Sequence, residues 1–432
     1  SVRMTMTRRF THTLLAGALL ATGAGFAQAE TTLTIACGSV GQDYDSCKHA
    51  SDQWARKTGN QVRLLSVPVS STETLGLYQK MFAAGSSDVD VVMVDVVWPG
   101  IIGQHLLDLT PYAKDEVKKH FPAIIANNTV QGRLVAMPWF TAVGLLYYRK
   151  DLLEKYELST PTTWDEFAKA AATIQEGERK AGREDFQGFV WQGRPDEGLT
   201  CDALEWVHSQ GGGTIVNEAG EITINNEKAA HALDRAAGWV GTLSPQGVLG
   251  QGEEDARNLF QNGKAAFMRN WPYAWALVQG ANSRVKDKVG VAPLPAGENG
   301  STATLGGWQL AVSKYTKHPE EAADLVMYLT SEKVQKRRAI EGAYNPTYPA
   351  LYKDKEVLAA NPFFGTLYDV LPNAVSRPSS ITGPKYDAVS QAFWSTVHDV
   401  LNGRAKGAEA VKKLQERLGE VKKEQWQERA EP

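Results

Sequence analysis

The sequence predicts an α/β protein that is divided into two lobes. Residues 31–97 alternate β-branched segments with helical ones in the order β-α-β-α-β, which favours a parallel sheet covered by helices. The chain has 432 residues, more than one ordinary domain holds. Two short strand-like segments, 134–138 and 145–148, flank residues 140–144, whose glycine and small side chains suit a crossover between lobes.

The first sheet is predicted from three segments rich in β-branched residues. They cover 31–37, 61–69 and 90–97, with helices between them over 43–57 and from an N-cap region at 70–72 to residue 84. The third segment is nearly all Val and Met, as expected for a strand buried on both faces. Asp95 ends it, at the sheet edge where open α/β sheets bind ligands. The alternative role for Asp95 is the N-cap of a helix over 101–107.

The rest of the chain continues the α/β pattern. A helix begins at Lys150, and Thr163 and Glu166 form the capping box of a second helix that runs to about residue 181. Further strands are predicted over 186–192, 264–269, 289–294 and 309–312. Further helices are predicted over 202–209, 226–243, 254–261, 319–329, 331–341, 385–401 and 408–427.

Aromatic residues cluster directly after the strand predicted over 264–269. Trp271, Tyr273 and Trp275 lie within five residues, beside an Arg, an Asn and a Pro. A sugar ring suits such a surface, because its C–H face stacks on an aromatic ring while its hydroxyls need donors and acceptors. The alternative is that these rings are core residues of a helix. The strand places Trp271 at a sheet edge and favours the ligand, whereas Trp275 is expected to pack.

A second aromatic residue follows two glycines. Gly306 and Gly307 precede Trp308, and glycines at such a point permit close approach of the backbone to another group. Trp308 therefore offers a second ring to the same ligand.

Composition excludes several classes of function. The formal net charge is −3, with 43% hydrophobic and 22% charged residues, and no Lys/Arg-rich run is present. A nucleic-acid partner is therefore not expected. Metal-ligand spacings such as C-x-x-C or H-x-x-x-H do not occur, so neither a metal nor a cofactor is expected.

The N-terminus has the pattern of a secretory signal peptide. Arg8 and Arg9 precede an apolar run over 13–26, and Ala27-Gln28-Ala29 gives a cleavage pattern. We therefore expect residues 1–29 to be removed and the mature, periplasmic chain to begin at Glu30. A membrane anchor is the alternative, although the run is shorter than the ~20 residues that a span needs.

Three cysteines are present: Cys37, Cys47 and Cys201. Export permits a disulfide, and Cys37 and Cys47 lie across the first predicted strand-to-helix loop. We predict that these two pair and that Cys201 is a free, buried thiol.

Several phrases together resemble one family. In order they are VDVVMVD at 89–95, GLLYYRKDLL at 144–153, GFVWQG at 188–193, RNWPYAW at 269–275, KVGVAPLP at 288–295 and TLGGW at 304–308. The chain resembles the extracellular solute-binding proteins of ABC sugar importers, and within them the trehalose/maltose-binding proteins. The resemblance implies a two-lobed periplasmic binding protein fold of type II-like topology, with hinge crossovers and a ligand cleft between the lobes. We expect the N-terminal lobe at 30–140 and 293–330, and the C-terminal lobe at 141–292 and 331–432.

The resemblance also implies a set of ligand contacts. Rings at Trp271, Tyr273 and Trp308 would contact a disaccharide, and Gly307 would approach it through the backbone. Side chains that would bind hydroxyls or line the cleft are Asp95, Arg377, Thr72 and an acid near Asp43, for which Gln42 is the neighbouring option. Phe140 and Tyr344 complete the predicted set.

One position departs from that family's pattern. The family often carries an Asp where this chain has Ala142, and Phe140 offers no hydroxyl. A charge-assisted hydrogen bond contributes roughly 1.5–3 kcal/mol. Either another group compensates, or the preferred ligand lacks that hydroxyl.

The predicted function is capture of a trehalose-, maltose- or sucrose-type disaccharide by a monomer that closes around it and docks on the membrane permease of an ABC importer. No enzymatic activity is expected. One alternative is an exported glycoside hydrolase, in which Asp43 and Asp95 would be the paired carboxyl groups. Another is a binding protein for a non-sugar solute, which the aromatic residues disfavour.

Overall fold

The computed structural model describes residues 30–38 and 40–428. From Thr31 onward the described residues form one compact unit. The predicted signal peptide, residues 1–29, lies outside the described residues.

The described chain contains short strands that pair into a five-stranded sheet, a four-stranded sheet and a two-stranded ribbon. The strands are β1 (Thr32–Ala36), β2 (Gln61–Leu65), β3 (Val91–Asp95), β4 (Thr129–Val130), β5 (Arg133–Leu134), β6 (Met137–Val143), β7 (Leu145–Arg149), β8 (Gln187–Val190), β9 (Ala265–Asn270), β10 (Val289–Ala292) and β11 (Leu305–Val312).

Helices connect and cover the sheets. They are α1 (Asp43–Thr58), α2 (Ser71–Ala83), α3 (Pro99–Ile102), α4 (Thr110–Ala113), α5 (Pro122–Asn127), α6 (Lys150–Lys155), α7 (Trp164–Lys180), α8 (Glu197–Ser209), α9 (Glu227–Ala237), α10 (Glu253–Gln261), α11 (Ala274–Val278), α12 (Pro319–Leu329), α13 (Glu332–Gly342), α14 (Lys355–Ala360), α15 (Phe364–Val370), α16 (Ser379–Thr382), α17 (Tyr386–Leu401) and α18 (Gly407–Lys422).

The five-stranded sheet has the order β2-β1-β3-β11-β6. Strands β1, β2 and β3 are parallel, as the sequence predicts, while β11 runs antiparallel to both β3 and β6. Each residue of the central strand β3 is buried, which explains its run of Val and Met. Burying each such side chain contributes about 1.5–3 kcal/mol. Edge strand β2 instead has alternating exposure.

The four-stranded sheet has the order β10-β7-β9-β8. Helices α7, α8, α9, α10, α17 and α18 pack on it or on one another. A single residue, Gly144, separates β6 of the first sheet from β7 of the second. The predicted crossover is therefore present, but residues 140–143 belong to a strand and not to a linker, because they pair with β11.

Helix starts follow the capping signals of the sequence. The Ser70 side chain accepts a hydrogen bond from the Glu73 amide at the start of α2, and Thr163 caps α7 in the same way through the Glu166 amide. The Glu166 carboxylate accepts from the Thr162 amide at 2.9 Å, next to the predicted N-cap Thr163.

The segment after residue 331 packs differently from the expected lobe boundary. Arg338 of α13 forms an ion pair with Asp43 of α1, and Gln335 donates to the carbonyl of Pro138 in β6. Helices α17 and α18 pack instead on α8 and α9. The lobe boundaries stay a prediction, but we propose that α13 and α14 belong with the first sheet. Below, the first half means the five-stranded sheet with its helices, including α1, α2, α13 and α14. The second half means the four-stranded sheet with the helices that pack on it or on one another.

The predicted disulfide joins Cys37 and Cys47, with an S–S distance of 2.09 Å. It closes the loop between β1 and α1. Cys201 is buried and free, as predicted.

Candidate functional site

Three predicted site residues form one row across the first sheet. Trp308 of β11 pairs with Asp95 of β3 on one side and with Phe140 of β6 on the other. The Trp308 ring packs edge-on against Trp98, with ring centroids 5.2 Å apart. Side chains of directly opposed residues lie on the same face of a sheet, so this pairing brings an acid and two rings together.

The glycines before Trp308 allow close packing at the same edge. Gly307 has a φ of +135°, and a Cβ there would lie 2.7 Å from the carbonyl oxygen of Phe140. A Cβ at Gly306 would lie 2.9 Å from the Trp271 ring. Each position therefore requires glycine, and the ring of the second half lies directly against the strand of the first.

Strand β9 brings the aromatic cluster to the same place from the second half. Trp271 and Tyr273 follow its last residue, and the hydroxyl of Tyr147 donates to the Trp271 carbonyl at 2.6 Å. Trp275 lies further on, in α11, where its indole N–H donates to the carbonyl of Ala360. Trp275 is therefore a packing residue in this structure, as expected.

The polar side of the site is centred on Arg377. This buried guanidinium donates to Glu197 at 3.1 Å and to the Leu305 carbonyl at 3.3 Å, and lies 3.7 Å from Asp95. Asp95 also accepts from the Ser71 hydroxyl at 2.7 Å and from the Val97 amide at 3.3 Å. It does not cap a helix, since α3 has no side-chain cap.

The surroundings of Glu197 shift the pKa of its carboxyl. Burial raises the pKa of its carboxyl to about 6, while Arg377 acts in the opposite direction and Asp95 reinforces the shift. The carboxylate also accepts from the hydroxyls of Tyr386 at 2.6 Å and Ser390 at 2.8 Å. Arg377, Asp95 and Glu197 thus form one buried charged network at the cavity wall.

Asn345 contributes the polar group best placed to bind a ligand. It is 1% exposed, and neither its amide oxygen nor its amide nitrogen has a hydrogen-bond partner among the described residues. Its backbone carbonyl accepts from the Thr141 amide, which holds it beside β6. A buried amide without partners costs free energy unless a ligand or water satisfies it.

These groups surround one cavity of about 720 Å³, a volume that includes the part open to solvent. That size falls within the usual range for small-molecule sites. Of the predicted site residues, those that line it are Asp95, Phe140, Trp271, Tyr273, Gly307, Trp308, Tyr344 and Arg377. Ala142, where the family pattern departs, also lines it.

Three predicted residues do not line this cavity. Asp43 is fully buried and forms an ion pair with Arg338 at 2.7 Å. Gln42 is exposed at the N-cap of α1. Thr72 accepts a hydrogen bond from the Glu197 amide at 3.0 Å, and its neighbour Ser71 lines the cavity instead. Asp43 and Thr72 therefore have partners within the fold, whereas Gln42 is exposed, and the predicted ligand contacts of all three stay untested.

Sequence reasoning missed several lining residues. Asp196 caps α8 and Glu197 begins it, in a segment where the chain carries no recognisable motif. Glu253 begins α10, and Asn345 lies three residues after α13 in an isolated bridge to Thr141. The only available signal was Asp196 ahead of a helical run, which indicates a cap and not a binding role.

In the described residues no group of three or more His, Cys, Asp and Glu side chains is arranged to hold a metal ion. None of the helices described is both long and apolar enough to cross a membrane.

Comparison with known proteins assigns the family. Residues 48–336 match the model of the bacterial extracellular solute-binding proteins. The chain belongs to this family. A relative from Deinococcus radiodurans, named a probable ABC transporter-binding protein, is 56% identical over 400 residues, which cover 91% of this chain and 94% of the relative. The chain is thus the substrate-binding component of an ABC transporter.

Solved structures agree on the fold. Maltose-bound MalE3 of T. maritima is 41% identical, with a TM-score of 0.86, and the match covers 90% of this chain and all of that one. The GacH receptor of Streptomyces glaucescens, solved without ligand and with acarbose, has a TM-score of 0.81 at 24% identity, with 92% and 99% covered. The two-lobed solute-binding fold expected from the sequence is therefore confirmed.

Proposed function

We propose that this solute-binding protein captures a disaccharide of the trehalose, maltose or sucrose type in the cavity between its two halves and delivers it to a membrane permease. The proposal includes the periplasmic location, the cleaved signal peptide at residues 1–29 and the monomeric state. The observation that carries it is the cavity itself, in which aromatic rings from both halves face buried polar groups. Such a lining matches a ligand with C–H faces and hydroxyl edges.

The relatives support a saccharide ligand. The T. maritima protein binds maltose and is 41% identical over nearly the whole chain. The rings and the buried polar side chains of this chain would serve the same class of ligand.

Asn345 is our candidate for the group that offsets the missing acid. Ala142 lines the cavity and cannot accept a hydrogen bond from a hydroxyl. Asn345 lies beside Thr141, the residue before Ala142, and its amide atoms lack partners among the described residues. The amide offers both a donor and an acceptor to sugar hydroxyls.

Binding is expected to close the two halves around the ligand. A ligand that contacts both halves stabilises the closed form by its greater affinity for that form. Contacts between the halves already exist here: the amide of Gly41 donates to Glu254 at 3.0 Å, and Arg194 forms an ion pair with Glu73.

Calorimetric titration with trehalose, maltose, sucrose and glucose tests the proposal. We expect a disaccharide to bind with a Kd below about 100 µM, and the sugar to be recovered intact. If none of the four binds in that range, the saccharide assignment is wrong. Hydrolysis of the added disaccharide would instead favour the glycosidase alternative.

A pair of tryptophan variants tests the site. We expect Trp271→Ala to lower the affinity by about 2–4 kcal/mol, because central aromatic residues dominate binding energy. Trp275→Ala is the matched control, since Trp275 lies four residues away and bonds to Ala360 outside the cavity. Equal loss of affinity in the two variants would remove Trp271 from the ligand contacts.

A further inference from the structure

Each half of the molecule carries a buried arginine whose guanidinium lies over the aromatic rings of the cavity. In the second half, the guanidinium carbon of Arg269 lies 4.1 Å from the centroid of the Trp271 ring. In the first half, that of Arg338 lies 3.9 Å from Trp139 and 4.4 Å from Tyr344. Each arginine is 2% exposed. Neither guanidinium is among the residues that line the cavity.

The second-half arginine is fixed from several directions. Its guanidinium binds both oxygens of Glu205, at 2.7 and 2.8 Å, and lies 3.0 Å from Asp202. Gln192 accepts a further hydrogen bond from it at 3.0 Å. A planar guanidinium held in this way has one orientation, and it covers one face of Trp271. Trp271 itself lines the cavity.

Glu205 also bonds to the segment that connects the two halves. Its carboxylate accepts from the amide of Thr304, at the entry to β11, at 2.9 Å. Thr304 in turn accepts at its carbonyl from the amide of Gly144, the residue between β6 and β7, at 3.3 Å. A Cβ at Gly144 would collide with both Glu205 and Arg269. Arg269 and Glu205, which support Trp271, are thus packed against both segments that connect the halves.

The first-half arginine backs the opposite wall. Arg338 donates to Asp43 at 2.7 Å and to Ser46 at 3.3 Å. Of the rings near it, Phe140 and Tyr344 line the cavity and lie 4.9 Å apart. Asp43 thereby holds Arg338 in place. This role explains why Asp43 is buried away from the cavity.

We propose that Arg269 and Arg338 are positioning residues, which hold the ligand-binding rings in their bound orientation before the ligand arrives. Each guanidinium belongs to the same half as the rings it covers, so the contact survives separation of the halves. A ring that is already oriented loses less rotational freedom on binding, which raises affinity. This inference rests on the proposed function, because it assigns these arginines a role in saccharide binding.

The test combines titration with ¹⁹F NMR of protein labelled with 5-fluorotryptophan. Arg269→Lys keeps a positive charge beside Glu205 but cannot lie flat on an indole. We expect its affinity for maltose or trehalose to fall about ten-fold. The Trp271 resonance, assigned by its loss in Trp271→Phe, should broaden in the ligand-free variant. Arg338→Lys should also lower the affinity, because Arg338 lies against Phe140 and Tyr344, which line the cavity; unchanged affinity would remove Arg338 from the inference.

Arg149→Lys is the matched control. Arg149 is also a buried arginine of the second sheet, 4% exposed, but it binds Asp151 at 2.7 and 2.8 Å. It does not line the cavity. This variant should keep both the affinity and the narrow Trp271 resonance.

Four results would overturn the inference or separate it from the proposed function. Unchanged affinity and an unchanged Trp271 resonance in Arg269→Lys would overturn it, as would an equal loss in Arg149→Lys. If the wild-type protein binds no saccharide, the proposed function fails, while the ligand-free spectra still decide whether Arg269 holds the ring. If Arg269→Lys does not fold, the ligand-free wild-type spectrum decides: one narrow Trp271 signal supports the inference, and several signals or a broad one overturn it.

Discussion

The rings Phe140 and Tyr344 in the first half and the ring of Trp271 in the second half both lie against a buried guanidinium, but the two arginines are anchored differently. Arg338 has one carboxylate partner among the described residues, Asp43. Arg269 has two, Glu205 and Asp202. Burial raises the pKa of both of these acids, while Arg269 acts in the opposite direction.

The surroundings of Asp43 and Glu205, the carboxylates that anchor the two arginines, differ as well. Asp43 lies on a helix whose start is closed onto β1 by the Cys37–Cys47 disulfide. The same loop contributes Val40, whose carbonyl accepts from the Tyr344 hydroxyl at 2.7 Å. Glu205 instead bonds to the crossover at Thr304. The cavity wall of the first half is therefore stabilised by a local disulfide, and that of the second half by the segment that joins the halves.

The largest expected effect distinguishes the two anchors. Asp43→Asn leaves Arg338 buried without its carboxylate, which should lower the free energy of unfolding by about 3–5 kcal/mol. Glu205→Gln should cost less, because Asp202 stays within 3.0 Å of Arg269 and can ionise. Urea denaturation of both variants at pH 7 measures the difference.

The Asp43→Asn variant also distinguishes a ligand contact from a structural role for Asp43. If it contacted the ligand, as the sequence predicts, Asp43→Asn would lose affinity and keep its stability. An equal destabilisation by both variants would show that the second carboxylate does not substitute for the first.

Removal of the disulfide is expected to have an intermediate effect. Replacing Cys37 and Cys47 with Ser frees the loop between residues separated by 10 in sequence, which should cost about 2–3 kcal/mol of stability. Dithiothreitol should lower the stability of the wild-type protein to that of the double variant and leave the variant unchanged. If dithiothreitol does not change the stability of the wild-type protein, the cavity wall of the first half does not depend on this disulfide.

The smallest expected effect concerns the pH dependence of the second half. Glu197 has a folded pKa of about 6 against an ordinary value of 4.5. Between these pH values the folded state keeps a proton that the unfolded state has lost, so stability falls by about 2 kcal/mol as the pH rises through this window. Glu197→Gln should make that slope smaller without abolishing it, because burial also raises the pKa of the Glu253 carboxyl, to about 7, and that group contributes with the same sign.

The exposed Glu218 of the second half provides the control for this measurement. Glu218→Gln should retain the wild-type slope in thermal or urea unfolding between pH 4.5 and 6. The same slope in Glu197→Gln would assign the titration to another group.

Local patterns predicted many of the elements. The Val/Met run of β3, the Ser70 and Thr163 caps and the helix over 319–329 were correct because each depends on neighbouring residues alone. Residues 140–144 were predicted as a crossover between two strands, because of their glycine and small side chains, and residues 140–143 were not predicted as part of a strand. They form a strand because β11, more than 160 residues away, supplies their hydrogen-bond partners.

The candidate site was predictable where a motif marked a residue. The phrases around Trp271 and Trp308 and the strand end at Asp95 indicated side chains that do line the cavity. Glu197 and Asn345 could not be found in this way, because a buried acid or amide becomes a binding group only through the neighbours that surround it. Asp43 shows the converse: the family resemblance implied a place in the cleft, but Arg338 from a distant helix pairs with it.

The sequence by itself determined the α/β alternation, the crossover at Gly144 and the aromatic cluster after β9, since each follows from residue types within a few positions. Only the tertiary structure decided which carboxylate faces the cavity and which one holds an arginine. That choice depends on which distant side chain lies within about 3 Å of each carboxylate, because a buried charge without an oppositely charged partner at this distance destabilises the fold.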